Sequence, residues 1–299
     1  MTTHDHGHNH DQHGHGHQHG HGHEHGFNAE SLTNNDRLYH DVYAEIVDWL
    51  APTKGASVLE AGSGAGGFTK LLAEKVGPLT GSVTALDQKH ELLDVAKATL
   101  ADSPAAGIVS YQESDIAKLP FDEGSFDLVW SSRTIHHLPD QLAAVGELAR
   151  VLKTGGWLAL REGPIRTKFL PDDIGLGDPG LDDRLDVAFH RWFASNVRGE
   201  AVSVRYPFGW TKMLSDAGLK NVAAKTFMLE ALAPFDDVQI SYMSRHLKRW
   251  IEDDERKAML MPGDAEILEQ ITSATSEHFV FGREDLYLQE AVTVFAGHA

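Results

Sequence analysis

The sequence predicts an α/β protein: a doubly wound, mostly parallel seven-stranded sheet with helices on both faces and a helical cap formed by insertions. From Phe27 onward, short apolar runs alternate with amphipathic stripes of helical period, the pattern of a parallel sheet whose crossovers are helices. The first of these runs ends in a glycine-rich turn, Gly62 to Gly67, that opens a helix and lets a ligand approach the backbone. After Glu162 and again after Asp236 the rhythm breaks into helical stripes. These read as insertions over the carboxyl edge of the sheet, where ligands sit in such folds.

The elements follow in order. The first 26 residues hold eleven of the nineteen histidines (His4, His6, His8, His10, His13, His15, His17, His19, His21, His23 and His25) and no apolar residue after Met1. Such a segment cannot form a core and reads as a disordered tail. Flexible imidazoles gather around Ni or Zn, so weak metal sites are expected there and none in the folded body. The tail reads equally as a solvated segment without a role. A leading helix over about 36–50, with Leu38, Val42, Ile46 and Trp49 on one stripe, stops before Pro52. Strands are predicted at 57–60, 82–86, 108–112, 126–130, 157–160, 222–229 and 286–295. Between them Phe68, Leu71, Leu72 and Val76 form one helical face, and Leu92, Leu93, Ala96 and Leu100 another. Leu181, Leu185, Ala188, Phe189, Trp192 and Phe193 mark a helix in the first insertion, and a further helix at 209–217 ends at Gly218. The predicted organisation is a tail (1–26), a cofactor-binding half (27–162), a cap insertion (163–207), and the rest of the sheet (208–299) with a second helical insertion (236–278).

Composition narrows the function. Across 299 residues, no apolar run approaches the roughly 20 needed to span a membrane. The first 26 residues lack the basic start and apolar stretch of a secretory signal, so a cytoplasmic location is expected. The absence of cysteine excludes disulfides, thiolate metal sites and cysteine nucleophiles. A formal charge of −18 would repel phosphate backbones, so neither nucleic acid nor a membrane is expected as a partner. One compact basic cluster, Arg245, Lys248 and Arg249, reads as the solvated face of a helix.

The chemistry lies in Val58-Leu59-Glu60-Ala61-Gly62-Ser63-Gly64-Ala65-Gly66-Gly67. Gly62, Gly64 and Gly67 also satisfy the dinucleotide fingerprint, which keeps a nicotinamide or flavin enzyme as a rival. Asp87, 21 residues after Gly66, closes the second strand, where a carboxylate accepts from both hydroxyls of a ribose in either case. Two features break the tie: Glu60 just before the glycines, and the succession Ser114-Asp115, Leu119-Pro120-Phe121, Phe126-Asp127-Leu128-Val129-Trp130 and Ile135-His136-His137-Leu138-Pro139. From about 58 to 162 the chain resembles the class I S-adenosylmethionine-dependent methyltransferases. Within them it resembles the branch with the ubiquinone and menaquinone C-methyltransferases and many small-molecule O-, N- and C-methyltransferases.

The resemblance implies S-adenosyl-L-methionine as cofactor and S-adenosyl-L-homocysteine as product. It implies Glu60, Gly62 and Gly64 along the methionine part, with Ser63 and Gly66 in the same loop. Asp87 would hold the ribose and Gln88 flank the adenine, whose amine would face Asp115 beside the backbone of Ile116. Ser131 and Ser132 would face the sulfonium. Tyr39, His40 and Tyr43 are candidates to close over the cofactor, or simple packing residues of an amphipathic helix. Methyl transfer is an in-line displacement that needs alignment first, and a base only when the acceptor must lose a proton. His136 and His137 are the candidate bases, or residues that mainly shape the loop. Arg133 and Arg161 are candidates to anchor a substrate anion, or partners of the many carboxylates. His190, Trp192, Tyr206 and Tyr242, from the aromatic-rich insertions, are candidates to line the site of a small, partly hydrophobic metabolite under the cap, or residues that join the cap to the sheet. Two other functions stay open: a cyclase or decarboxylase that uses the same cofactor only as a charge, and a metal-handling protein working through the tail.

Overall fold

The computed structural model describes residues 29–77, 79–163, 166–198 and 203–299. The histidine tail and the metal sites expected in it lie outside them. Two helices come first, α1 (Ala29–Leu38) and α2 (His40–Leu50). One helix is predicted there, over about 36–50; the chain is helical already from Ala29 and breaks at Tyr39 (φ −90°, ψ 3°), whose ring is fully buried. The chain then runs β1 (Ser57–Ala61), α3 (Gly67–Val76), β2 (Ser82–Asp87), α4 (His90–Leu100), β3 (Val109–Glu113), β4 (Phe126–Ser132), α5 (Gln141–Arg150) and β5 (Leu152–Arg161). It continues through α6 (Leu181–Asn196), α7 (Trp210–Asp216), β6 (Lys220–Leu232), α8 (Asp237–Glu252), α9 (Asp254–Lys257), α10 (Asp264–Thr272) and β7 (Tyr287–His298).

The seven strands form one sheet in the order β3-β2-β1-β4-β5-β7-β6. β1 to β5 pair in parallel, and β7 lies antiparallel between β5 and β6. This departs from the 3-2-1-4-5-6 order of dinucleotide-binding sheets and weighs against the nicotinamide or flavin rival. Side chains alternate across the sheet with a period of two. Val58, Leu128, Trp130 and Ala159 belong to one core layer, with residues of α2, α3, α6, α8 and α10. Leu59, Ala61, Val129, Leu158 and Leu160 belong to the other, with residues of α5 and α7. Both faces are therefore covered, which is why the central strands read as continuous apolar runs.

β1 pairs with β2 on one side and β4 on the other, so the chain changes direction of winding there. The crevice at the carboxyl ends of β1 and β4 is the switch point at which such sheets bind ligands. α8 starts with a capping box between Asp236 and Gln239 and packs Met243, Leu247 and Trp250 into the first layer beside Leu181, Leu185, Ile267 and Leu268. Among the described residues no helix is long and apolar enough to cross a membrane.

Candidate functional site

From Ala61 the backbone turns through Gly62 (φ 86°), Gly64 (φ 53°) and Gly66 (φ 84°) into α3, all left-handed values that favour glycine. The three glycines lack a Cβ for different reasons. At Gly62 a Cβ would collide with Thr134 Oγ1, and at Gly66 it would lie 2.8 Å from the backbone of Ala96 on α4. Those two permit packing. At Gly64 it would meet only Leu32 of α1, at 3.9 Å, so this stretch of the loop faces open space. Next to it Ser63 Oγ is buried without a hydrogen-bond partner, a donor left for a ligand.

Three carboxylates surround the loop. Asp87, at the end of β2, accepts from Gly64 N at 3.1 Å and from Lys89 N at 3.0 Å. Glu60, on β1 and 3 % exposed, accepts from Thr69 Oγ1 of α3. Burial pushes the Glu60 carboxyl well above the usual range against the Thr69 hydrogen bond, and Asp36 and Asp87 push the same way. Asp36, on α1, accepts from Gly67 N at 2.8 Å. Its pKa is pushed up to about 6 by burial, opposed by that hydrogen bond and by Arg161. Carboxylates desolvated in this way become more comfortable beside a cation. Nothing in the polar sequence of α1 marks Asp36; only its tertiary contact with Gly67 reveals it. Further out, Ser114 N donates to Asp87 O, which places the next turn beside β2. There Gln88 and Asp115 are exposed and Ile116 is buried, with Asp115 accepting from Ala117 N at 2.9 Å.

At the end of β4 the two serines part. Ser131 is fully buried on the opposite core face and donates to Ala61 O at 2.8 Å, so its hydroxyl ties β4 to β1 and is not turned to the crevice. Ser132 is half-buried, and its carbonyl accepts from Thr134 Oγ1. A short 3-10 turn, Ile135–His137, follows. Glu162, just past β5 and 1 % exposed, accepts from Thr134 N at 3.2 Å and Ile135 N at 2.9 Å with one oxygen. Its other oxygen lies 2.6 Å from His136 Nδ1. A carboxylate there favours the proton on Nδ1 and leaves Nε2 as an acceptor, the state of a general base. His136 is half-buried, 5.7 Å ring to ring from Phe193 of α6, whereas His137 is exposed beside it. Glu162 has no sequence signal beyond closing a strand, because its partner is 26 residues away on another element.

Across the crevice stands a second network. Arg161, 4 % exposed at the end of β5, donates to Tyr43 OH at 2.9 Å and to Glu290 Oε1 on β7 at 3.1 Å, with its guanidinium 4.2 Å over the Tyr39 ring. Glu290 also accepts from Tyr39 OH (2.5 Å), Thr167 Oγ1 (2.7 Å) and Tyr242 OH (3.1 Å). Burial alone would raise the Glu290 pKa, but Arg161 and Arg133 hold it below the usual carboxylate range. Tyr39, Tyr43, Arg161 and Tyr242 thus meet in one cluster, with Arg133 close by on the β4 exit (φ 52°). Glu290 and Thr167 join it without having been marked by the sequence.

The basic run on α8 is not the solvated face that its composition suggests. Arg245 and Arg249 are half-buried on a helix that packs against α1, α9 and α10. Arg245 Nη2 donates to Asn35 Oδ1 of α1 at 2.7 Å, and Arg249 Nη2 lies 2.7 Å from His246 Nε2. Four other candidates lie elsewhere. His40 is exposed on α2, and His190 is exposed on α6, where Ala188 and Trp192 take the buried positions. Trp192 packs under Arg256 of α9, whose guanidinium is 3.9 Å from its ring. Tyr206 donates to Asp216 of α7 at 2.8 Å and lines a cleft of about 450 Å³ between α5 and α7, to which no glycine-loop residue contributes. Among the described residues no three His, Asp or Glu side chains are placed to hold a metal ion.

With this geometry in place, comparison with known proteins gives a consistent reading. Residues 59–160 match the protein family described as a methyltransferase domain. The demethylmenaquinone methyltransferase of Lactococcus lactis subsp. lactis is 37 % identical over 118 residues, which cover 39 % of this chain and 46 % of that protein. The ubiquinone/menaquinone biosynthesis C-methyltransferase of Saccharophagus degradans is 36 % identical over 124 residues, 41 % and 49 % of the two chains. The chain thus spans about half the length of the curated relatives it matches. Two solved structures share the fold: the YcgJ protein of Bacillus subtilis (TM-score 0.51, 19 % identity, covering 87 % of this chain and 98 % of that one) and phosphoethanolamine N-methyltransferase 2 of Haemonchus contortus in complex with S-adenosylmethionine (TM-score 0.52, 16 % identity, 91 % and 57 %). The segment 59–160, which carries the glycine loop, Asp87 and the end of β4, is thus what this chain shares with these methyltransferases, and the seven-stranded sheet is built around it.

Proposed function

We propose that the protein transfers a methyl group from S-adenosylmethionine to an oxygen, nitrogen or carbon of a small molecule, with His136 as base and Glu162 positioning it. One observation carries this reading: the ligand loop and the base share a wall. Gly62 packs against Thr134, and the N–H of Thr134 is held by the same Glu162 that holds His136. The loop also fits the cofactor, through the open face at Gly64, the unfilled Ser63 hydroxyl and the acidic surround.

In this assignment Gly64 and Ser63 receive the amino-acid end, Asp87 the ribose hydroxyls, and Gln88 and Asp115 the adenine. Asp36 and Glu60 supply negative charge toward the cationic part. When bound, the cofactor offers a methyl carbon on a sulfonium, open to in-line displacement. His136 Nε2 takes the proton of a hydroxyl or amine acceptor, and Glu162 stabilises the imidazolium that results. The helices within 163–207 and 236–278 serve as the cap over the acceptor.

Calorimetry with S-adenosylhomocysteine, followed by mass-spectrometric detection of its formation from S-adenosylmethionine and a panel of acceptors, tests the reading. Binding of the homocysteine and its release in turnover are expected. Binding of NAD with no affinity for S-adenosylhomocysteine would overturn it.

A further inference from the structure

The acceptor side of the crevice is basic beyond what its own carboxylates balance. Arg133 and Arg161 from the sheet edge, Arg166 from the following loop, and Arg245, His246 and Arg249 from α8 lie within electrostatic reach of one another around Tyr242. Two carboxylates pair with members of this set, and both are already shared. Glu290 serves Arg161 and three hydroxyls, and Asp186 serves Arg166 and Lys168. Among the described residues Arg133, Arg245 and Arg249 have no carboxylate within ion-pair distance.

Three further observations bear on these charges. Arg133 is exposed, with Tyr39, Arg161, Tyr242 and Glu290 within its electrostatic reach. Arg249 is oriented by His246, yet its Nε is buried with no acceptor. Burial and the surrounding arginines, Arg249 first, push His246 well below its usual range, so it is a neutral acceptor that adds no charge of its own. Arginine does not shed its proton in proteins, so the burial and mutual repulsion that disfavour the charges of Arg245 and Arg249 stay until an anion answers them. In a chain with 44 acidic and 26 basic residues, composition does not lead one to expect such a concentration of unpaired guanidinium groups. Planar guanidinium forks match phosphate and carboxylate oxygens in pairs.

We propose that Arg133, Arg245 and Arg249 form the binding site for a doubly charged oxyanion, a phosphate ester or a dicarboxylate, carried by the small molecule that this protein modifies. The word substrate rests on the methyl-transfer reading; the anion site itself does not. The site sets the distance between the anionic group and the acceptor atom, since Arg133 N is bonded to Arg161 O at 2.9 Å and so belongs to the same strand ends as Ser132 and His136. Apolar analogues without the anion are then poor substrates.

The test uses the full chain at constant ionic strength, with inorganic phosphate as tetrahedral probe, malonate as planar probe, and chloride and acetate as controls. Saturable binding of phosphate or malonate, at least about tenfold tighter than acetate, is expected, and the better of the two tells the phosphate ester from the dicarboxylate. Arg133→Gln and Arg249→Gln should each weaken it about tenfold or more, while S-adenosylhomocysteine affinity stays within about threefold. In anion-free buffer Arg249→Gln should melt no lower than the wild type, because an unanswered buried charge has been removed, and phosphate should no longer raise its melting point. The proposal fails if neither probe binds saturably, or if Arg133→Gln binds as the wild type does; should Arg249→Gln not fold, Arg133→Gln decides. Phosphate binding without S-adenosylhomocysteine binding supports the anion site and sinks the methyl-transfer reading, and the reverse result sinks the anion site alone.

Discussion

The two walls of the crevice carry opposite charge. Around the glycine loop stand Asp36, Glu60 and Asp87, and toward α8 stand Arg133, Arg161, Arg166, Arg245 and Arg249. The acidic wall conforms to the composition of the chain, whereas the basic wall opposes it. A protein of net charge −18 can still present an anion site, because Arg245 and Arg249 are gathered on one covered helix face while the carboxylates spread over the surface. Net charge governs long-range encounter, and local arrangement governs what is held. The walls also differ in how they are satisfied. The acidic one is pinned by backbone N–H groups of Gly64 and Gly67, and the basic one keeps unanswered donors.

The largest expected effect separates ligand glycine from packing glycine within the acidic wall. Gly64→Val should abolish measurable S-adenosylhomocysteine binding by calorimetry, because its side chain enters the open face of the loop. Gly66→Ala, which drives a methyl into the Ala96 backbone, should instead act on stability. It should lose at least about 2 kcal/mol more than Gly64→Ala in denaturant unfolding, since Gly66, at φ 84°, lies further from the left-handed well that L-residues reach and it alone meets a clash. Equal stability losses would erase the distinction between the two.

Next comes the seam between the walls. His136→Asn should lower turnover about a hundredfold or more on a hydroxyl or amine acceptor, with S-adenosylhomocysteine affinity unchanged within about threefold. The deficit should shrink as pH rises and the acceptor ionises unaided. Glu162→Gln should cost less, about tenfold, since an amide oxygen still orients the ring without stabilising its charge. If affinity falls together with turnover in both, the pair shapes the loop and proximity alone explains catalysis.

A smaller effect comes from Asp36. With its pKa at about 6 in the free protein, it is protonated at pH 5 and ionised at pH 7.5. A cationic ligand favours the ionised form, so S-adenosylmethionine affinity should rise across that window and level off above it. Asp36→Asn should bind about tenfold more weakly at pH 7.5 and about equally at pH 5. The same shift, from 3.8 upward, means that the folded state holds the proton more tightly than the unfolded chain. The free protein should therefore lose stability as pH rises from about 4 to about 6, and the Asn variant should lose less. The smallest effect belongs to the histidine tail. Removing residues 1–26 should abolish nickel or zinc binding that is itself lost below about pH 6, yet change the methyl-transfer rate by less than about twofold.

What the sequence discloses about this site follows from how local each signal is. The loop from Glu60 to Gly67 and the carboxylate of Asp87 are legible because strand, turn and helix start are consecutive. Tyr39 is legible as an apolar position but not as a break in a helix, since Glu290, which binds its hydroxyl, lies 251 residues away. Arg249 misleads for a related reason. Helical periodicity marks which residues share a face, but not whether another element later covers that face. Ser131 is displaced from the site by strand parity: neighbours on a strand point to opposite faces, so of Ser131 and Ser132 at most one side chain could face the crevice.

β7 is the last of the seven strands along the chain and yet an interior strand of the sheet, and Arg161 must wait for Val294 as its register partner. During synthesis, β5 emerges with a free row of backbone donors and acceptors and keeps it until more than a hundred further residues have been added, an adhesive edge of the kind that draws other nascent chains. The same strand brings Glu290, the carboxylate that ties Tyr39, Arg161, Thr167 and Tyr242 together. Sealing that edge and assembling the acceptor wall are therefore a single late event, governed by a long-range contact that forms slowly. A partly made chain is then exposed to aggregation and without its Glu290-centred cluster for the same length of time.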